Sequence, residues 1–191
     1  MPGRHNVLNA LGALACGLDM GAPYEPMRQA LGIFSGARRR FQFKGQRAGI
    51  TVIDDYAHHP TEIAATLAAA RTRLPEGGRL VGLFQPHRYS RTQRLAADFG
   101  RALQGADIVV VADVYSAGET SIEGVSGQLV FDQVVASGHS QAFYVASLDE
   151  TPDFLASQLI EGDMLLTLGA GNVYRVGEQL LERLPESPAG V

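Results

Sequence analysis

The sequence predicts an α/β protein: a doubly wound, mainly parallel sheet of about six strands, preceded by two helices. Three observations carry this. From residue 50 onward, short apolar runs alternate with segments of helical length and spacing. The runs are continuous rather than alternating apolar with polar, so both faces of the sheet must be covered. Several of them end in a polar or glycine turn that opens the next helix, as a strand feeding a crossover does.

Taken in order, residues 5–19 place Val7, Leu8, Leu11, Leu14, Ala15 and Leu18 at helical spacing, and Gly21-Ala22-Pro23 ends that helix. A short helix follows over about 25–32. Gly36 to Phe43 is a transition: a glycine, the basic run Arg38-Arg39-Arg40, then alternating apolar residues that read as a strand. Lys44-Gly45-Gln46 reads as the hairpin turn before the next strand. The main strands are 50–53, 80–84, 108–112, 142–145 and 164–168. The helices are 61–73, 92–103, 128–136, 151–159 and 173–184. This is a Rossmann-like pattern, without internal repeats, and the tail 185–191 is expected to be disordered.

At 191 residues the chain can hold one good core, or one full domain plus a piece of another. Its 46% hydrophobic and 19% charged content is that of a soluble globular protein. No apolar run approaches the roughly 20 residues of a membrane helix, and the first residues lack the apolar core of a signal peptide. A net charge of −4 gives no reason to expect nucleic acid or an anionic membrane as partner. The single cysteine, Cys16, excludes an internal disulfide and fits a reducing compartment, so the expectation is a cytoplasmic protein. Lying within an apolar, small-residue stretch, Cys16 reads as buried packing.

Chemistry concentrates in four motifs. Asp54-Asp55-Tyr56-Ala57-His58-His59-Pro60-Thr61-Glu62-Ile63 joins a strand to a helix. Pro60 suits the first helical position and Glu62 favours the first turn electrostatically. A solvated loop with an ordinary cap is the bland alternative, but so many titratable groups on one strand-end turn favour a site. Phe84-Gln85-Pro86-His87-Arg88-Tyr89-Ser90-Arg91-Thr92 follows another strand. Arg88 and Arg91, three apart as a helix begins, can converge on one anion, and Thr92 can cap the helix. Gly3-Arg4-His5-Asn6-Val7-Leu8-Asn9-Ala10 puts Asn6 and Asn9 on one helix face, where carboxamides can meet an adenine edge; helix capping by Asn6 is the plainer reading. Leu168-Gly169-Ala170-Gly171-Asn172 is half of a dinucleotide fingerprint, equally explained by tight-turn geometry. Of the three arginines at 38–40, a solvated face accounts for most. Asp113, Tyr115 and Glu119 form a looser polar cluster. The sequence has no G-x-x-x-x-G-K-[ST] phosphate loop, C-x-x-C pair or G-x-S-x-G elbow.

Together these ordered motifs resemble those of the Mur ligases, the ATP-dependent amino-acid ligases of peptidoglycan synthesis, from residue 3 to about 184. The resemblance implies residues 1–37 as the last helices of a central ATPase domain and 38–184 as the Rossmann-like C-terminal domain. The UDP-sugar domain and most of the central domain would then be missing, with ATP and Mg2+ needed by the parent enzyme and the Mg2+ ligands mostly outside this chain. It further implies joining of L-alanine to UDP-N-acetylmuramate through an acyl phosphate, with the 191 residues alone inactive. Carried over by motif, Asn6, Asn9, Arg40 and Asp55 would hold the nucleotide. His59, Arg88 and Arg91 would face the alanine and the muramate carboxylate or acyl phosphate, and Asn172 and Tyr174 would border the alanine pocket. A member that recycles murein tripeptide shares Asp-Asp-x-Ala-His-His-Pro but is not expected to carry QPHRYSRT. It, a folate-type relative and a non-catalytic nucleotide-binding module are the competing readings.

Overall fold

The computed structural model describes residues 3–34 and 36–185. The tail expected to be disordered lies, apart from Pro185, outside the described residues. Two helices come first, α1 (Arg4–Asp19) and α2 (Tyr24–Ile33). Gly17 lets them meet, because the Met27 sulfur occupies the space a Cβ would need. Val7, Leu8, Leu11 and Leu18 on α1 stay exposed. Cys16 is exposed too, contrary to the expectation of buried packing. Its apolar neighbours form a face that no described element covers.

Six strands follow in the order β1-β2-β6-β3-β4-β5. They are β1 (Gln42–Arg47), β2 (Ile50–Asp55), β3 (Leu80–Phe84), β4 (Ile108–Val111), β5 (Ala142–Tyr144) and β6 (Met164–Leu168). Only β1 is antiparallel to its neighbour. One core lies between the sheet and α3 (Pro60–Arg71), α4 (Tyr89–Ala102) and α5 (Gly127–Ala136), and draws on Ile53, Leu80, Phe84, Val109, Val111 and Leu166. The other draws on Val52, Val81, Leu83, Val110 and Leu165 against α6 (Thr151–Gln158) and α7 (Tyr174–Arg183). Alternate strand residues thus serve opposite cores, which is why the strands are apolar throughout.

The β1–β2 hairpin turns at Ala48-Gly49, not at Lys44-Gly45-Gln46 as expected. Ala48 and Gly49 have φ of 49° and 72°, the left-handed pair that matches strand twist in a two-residue turn. Gly45 instead sits at a bulge within β1, with Leu181 of α7 only 2.9 Å from where a Cβ would project.

Strand β6 inserts between β2 and β3, so the chain winds outward and then returns to the middle of the sheet. Asp55, Leu168, Phe84 and Val111 are aligned across four strands at the carboxyl edge. The turns after β2, β6, β3 and β4 are therefore neighbours, and three of them carry the motifs singled out above. Among the described residues, no helix is long and apolar enough to cross a membrane.

Candidate functional site

Asp54 and Asp55 end β2 on opposite faces and do different work. Asp54 is 1% exposed and accepts from Thr167 Oγ1 at 2.8 Å and Arg39 Nε at 2.9 Å. Asp55 accepts from the backbone N–H of Phe41 at 2.7 Å and of Ala57 at 2.8 Å. Burial pushes the Asp55 carboxyl above its ordinary pKa, while those two N–H groups and the Arg40 charge pull it back. Both Asp55 oxygens thus already hold backbone. Pro60 opens α3 as expected, and Glu62 does more than favour the helix end: it accepts from the N–H of His58 at 3.0 Å and of His59 at 3.2 Å. His59 is the exposed cap residue of the helix. His58 is the one that reaches the next turn, its ring 5.9 Å from that of His87.

The turn after β3 is held by the loop after β4. Tyr115 N–H donates to Pro86 and its carbonyl accepts from Arg88, while the Tyr115 ring stacks on His87 at 5.6 Å. Arg88 takes a left-handed backbone, φ 73°, immediately before α4. Such backbone in a non-glycine residue costs energy and tends to mark sites. Glu119 fastens the helix start through Ser90, accepting from its hydroxyl at 2.7 Å and its N–H at 3.0 Å, contacts that hold its pKa low. Thr92 does not cap α4, which begins three residues earlier at Tyr89; its hydroxyl donates within the first turn to the Arg88 carbonyl. Asn6 likewise is no cap, since α1 begins at Arg4.

Two buried polar atoms near this turn have no hydrogen-bond partner among the described residues: His87 Nδ1 and Arg91 Nη1. Burial, then the charges of Arg91, His58 and Arg88, hold the His87 pKa below the usual histidine value. The half-buried Arg91 guanidinium and the exposed Arg88 both bring positive charge to His87, a local excess of cation suited to an anion. On the other side, Asn172 Oδ1 accepts from the buried Gln85 Nε2 at 3.1 Å, and Gln85 Oε1 accepts from Val173 N–H at 3.2 Å. Gly171 packs so closely on Gln85 and Tyr115 that a Cβ would lie 2.7 Å from the Tyr115 ring. In the sequence Gln85 stands out only as a member of a motif and Tyr115 only as a member of a loose polar cluster. Their role is set by strand neighbours far away in the chain.

Asn6, Asn9, Arg40 and Asp55 line one cleft of about 980 Å3 between α1 and α3. Val7, Leu31, Phe34 and Phe41 supply apolar walls. Asn9 Nδ2 lies 3.5 Å from Asn6 Oδ1, so the two amides do share a face. Glu62, which holds the backbone of His58 and His59, lines this cleft as well. Tyr174, at the start of α7, lies under the Arg39 guanidinium at 4.7 Å. Arg39, counted with a solvated face, is in fact engaged on every nitrogen.

The chain is thus a Rossmann-like α/β protein with polar turns gathered at the carboxyl edge of its sheet, where open α/β folds place their ligands. Residues 39–171 match the family model described as "Mur ligase, glutamate ligase domain", and the chain belongs to that family. It is 49% identical over 187 residues to the UDP-N-acetylmuramate–L-alanine ligase of Syntrophomonas wolfei, covering 98% of this chain and 40% of the relative. Among solved structures it is similar to a UDP-N-acetylmuramate-alanine ligase of Thermotoga maritima (34% identity, TM-score 0.79, covering 96% of this chain and 38% of that one). A murein peptide ligase of Psychrobacter arcticus is also similar (25% identity, TM-score 0.74, covering 99% of this chain and 38% of that one). The chain spans about 40% of the length of the curated relatives it matches.

Proposed function

We propose that this chain is the C-terminal part of an ATP-dependent cytoplasmic ligase that joins L-alanine to UDP-N-acetylmuramate in peptidoglycan synthesis. Residues 1–37 would be the last helices of the preceding ATPase domain and 38–184 the domain that supplies the amino-acid site. The observation that carries this reading is the pair of arginine charges beside His87, with the buried Arg91 Nη1 unpaired among the described residues, in a chain so similar to ligases named for carboxylate substrates.

In the reaction a muramate carboxylate oxygen attacks the γ-phosphorus of ATP and ADP leaves. The alanine nitrogen then attacks the acyl carbon, the bond to phosphate breaks, and the amine gives its proton to solvent or a neutral base. The protein's share is positioning and stabilisation of charge. Arg88 and Arg91 hold the alanine carboxylate and the acyl phosphate, with His59 on the neighbouring turn. Asn172 and Tyr174 border the alanine. Asn6, supported by Asn9, meets the adenine in the cleft, whose apolar walls and size suit an aromatic ring. Arg40 reaches the nucleotide, and Asp55 serves it by fixing the backbone of Phe41 next door. Mg2+ would neutralise phosphate charge, with its ligands mostly outside this chain.

The test is steady-state kinetics of Arg88→Ala and Arg91→Ala in the full-length ligase, varying L-alanine and ATP separately. Each should lose turnover, by about 3 kcal/mol, the scale of one lost charge-stabilising donor. Arg88→Lys should recover only part, because an ammonium cannot reproduce the guanidinium fork. Near-parental turnover and alanine dependence in both alanine variants would make the arginines surface residues and the proposed site wrong.

A further inference from the structure

Of the three successive arginines, Arg39 is the one whose side chain is wholly engaged. Its Nε donates to Asp54 at 2.9 Å, Nη1 to the Gly171 carbonyl at 2.9 Å and Nη2 to the Gly169 carbonyl at 2.7 Å. The rings of Tyr56 and Tyr174 lie 5.2 and 4.7 Å from its guanidinium carbon. Its backbone is spent as well. The Arg39 carbonyl accepts from Tyr56 N–H at 2.7 Å, and its own N–H donates to Gln42 Oε1 at 3.0 Å. It adopts a left-handed φ of 58° to make these contacts.

We infer that Arg39 is a positioning residue that staples the turn after β2 to the glycine turn after β6, and so fixes Asn172 and Tyr174 on the acceptor side of the site. The inference rests on the ligase reading for what that side binds. The staple works because each partner is itself fixed. Asp54 is buried and anchored through Thr167 to β6, and supplies the one charge that balances the guanidinium. The carbonyls of Gly169 and Gly171 face Arg39, and the next residue of that turn, Asn172, is held by Gln85. The two tyrosines cover the guanidinium plane with cation–π contacts. A phosphate could take Arg39 only by breaking Asp54 and both carbonyls away. Lysine cannot substitute, because one ammonium cannot span three acceptors set out in a fork.

The experiment compares Arg39→Gln and Arg39→Lys with the parent in two assays. In the 191-residue chain, amide exchange across 169–174 should quicken by about ten-fold or more, the equilibrium cost of a lost charged hydrogen bond, while α5 amides keep their protection. In the full-length ligase, kcat/KM for L-alanine should fall roughly 10²-fold, as for a slightly misplaced group, with KM for ATP held within about two-fold. Lysine should rescue neither. A rise in the ATP KM as the main effect would make Arg39 a nucleotide contact and overturn the inference. So would equal loosening of α5, which would mean general stabilisation, or no change in either assay. Should the parent enzyme fail to use L-alanine, the ligase reading falls and the exchange assay alone decides whether Arg39 holds the turn.

Discussion

Replacing Arg91 by methionine should stabilise the ligand-free protein while disabling the site. Arg91 Nη1 is buried without a hydrogen-bond partner, and its charge sits close enough to His87 to push that ring toward its neutral form. An unsatisfied buried donor costs about 1–3 kcal/mol, and more when charged. Methionine keeps the length of the aliphatic stem and a good helix propensity on α4, so little packing is lost. A net gain of about 1 kcal/mol is expected, which for a domain of this size raises Tm by about 2–4 °C. Thermal and urea unfolding of the 191-residue chain at pH 7 would measure it, with the His87 ring followed by NMR. Removing the nearby cation should move the His87 pKa upward. In the full-length ligase the same variant should lose turnover, the usual trade where a site keeps strain for its ligand. A lower or unchanged Tm would refute the reasoning, since it would mean that Nη1 is satisfied and not held in reserve for an anion.

Asp55→Asn should destabilise the chain by about 2 kcal/mol, because an amide can accept from only one of the Phe41 and Ala57 N–H groups and presents a donor to the other; unfolding by urea would read it, and a cost under about 0.5 kcal/mol would contradict it. With its folded pKa held below the unfolded value, His87 should cost stability as pH falls through the ordinary histidine range, since the unfolded chain then binds the extra proton. Unfolding free energies between about pH 7.5 and 5.5 should therefore decline less in His87→Gln than in the parent. Gly171→Ala should displace Tyr115 or Gln85, because a Cβ there has no room between them; His87, stacked on Tyr115, should report this as a shifted ring resonance, and an unchanged spectrum would count against the packing.

The elements were legible because a sheet covered on both faces must be apolar at every position, and β3 and β6 begin and end where their apolar runs do. Lys44-Gly45-Gln46 has the composition of a turn yet lies inside β1. What decides is the left-handed pair at Ala48-Gly49 and the space under Leu181, which only the assembled fold reveals. The motifs fall on turns that the sheet brings together at its carboxyl edge, and Asn6, Asn9, Arg40 and Asp55 line one cleft. Which member of a pair does which task was not legible. Asp54 and Asp55 are adjacent, yet strand alternation sends one to Arg39 and the other to Phe41. Arg39 and Arg40 look alike in sequence, and contacts to Asp54 and to carbonyls 130 and 132 residues away separate them. Cys16 was misread because apolar neighbours imply burial only where another element covers them.

The central claim is tested most directly by ADP release from the full-length ligase under three conditions: ATP with UDP-N-acetylmuramate and L-alanine, the same with either substrate omitted, and the same with murein tripeptide in place of L-alanine. Sustained ADP release stoichiometric with the L-alanine adduct, absent without UDP-N-acetylmuramate, limited to a single turnover without L-alanine and not sustained by tripeptide, is the expected result. Efficient use of the tripeptide, or ADP release indifferent to L-alanine, would contradict the account.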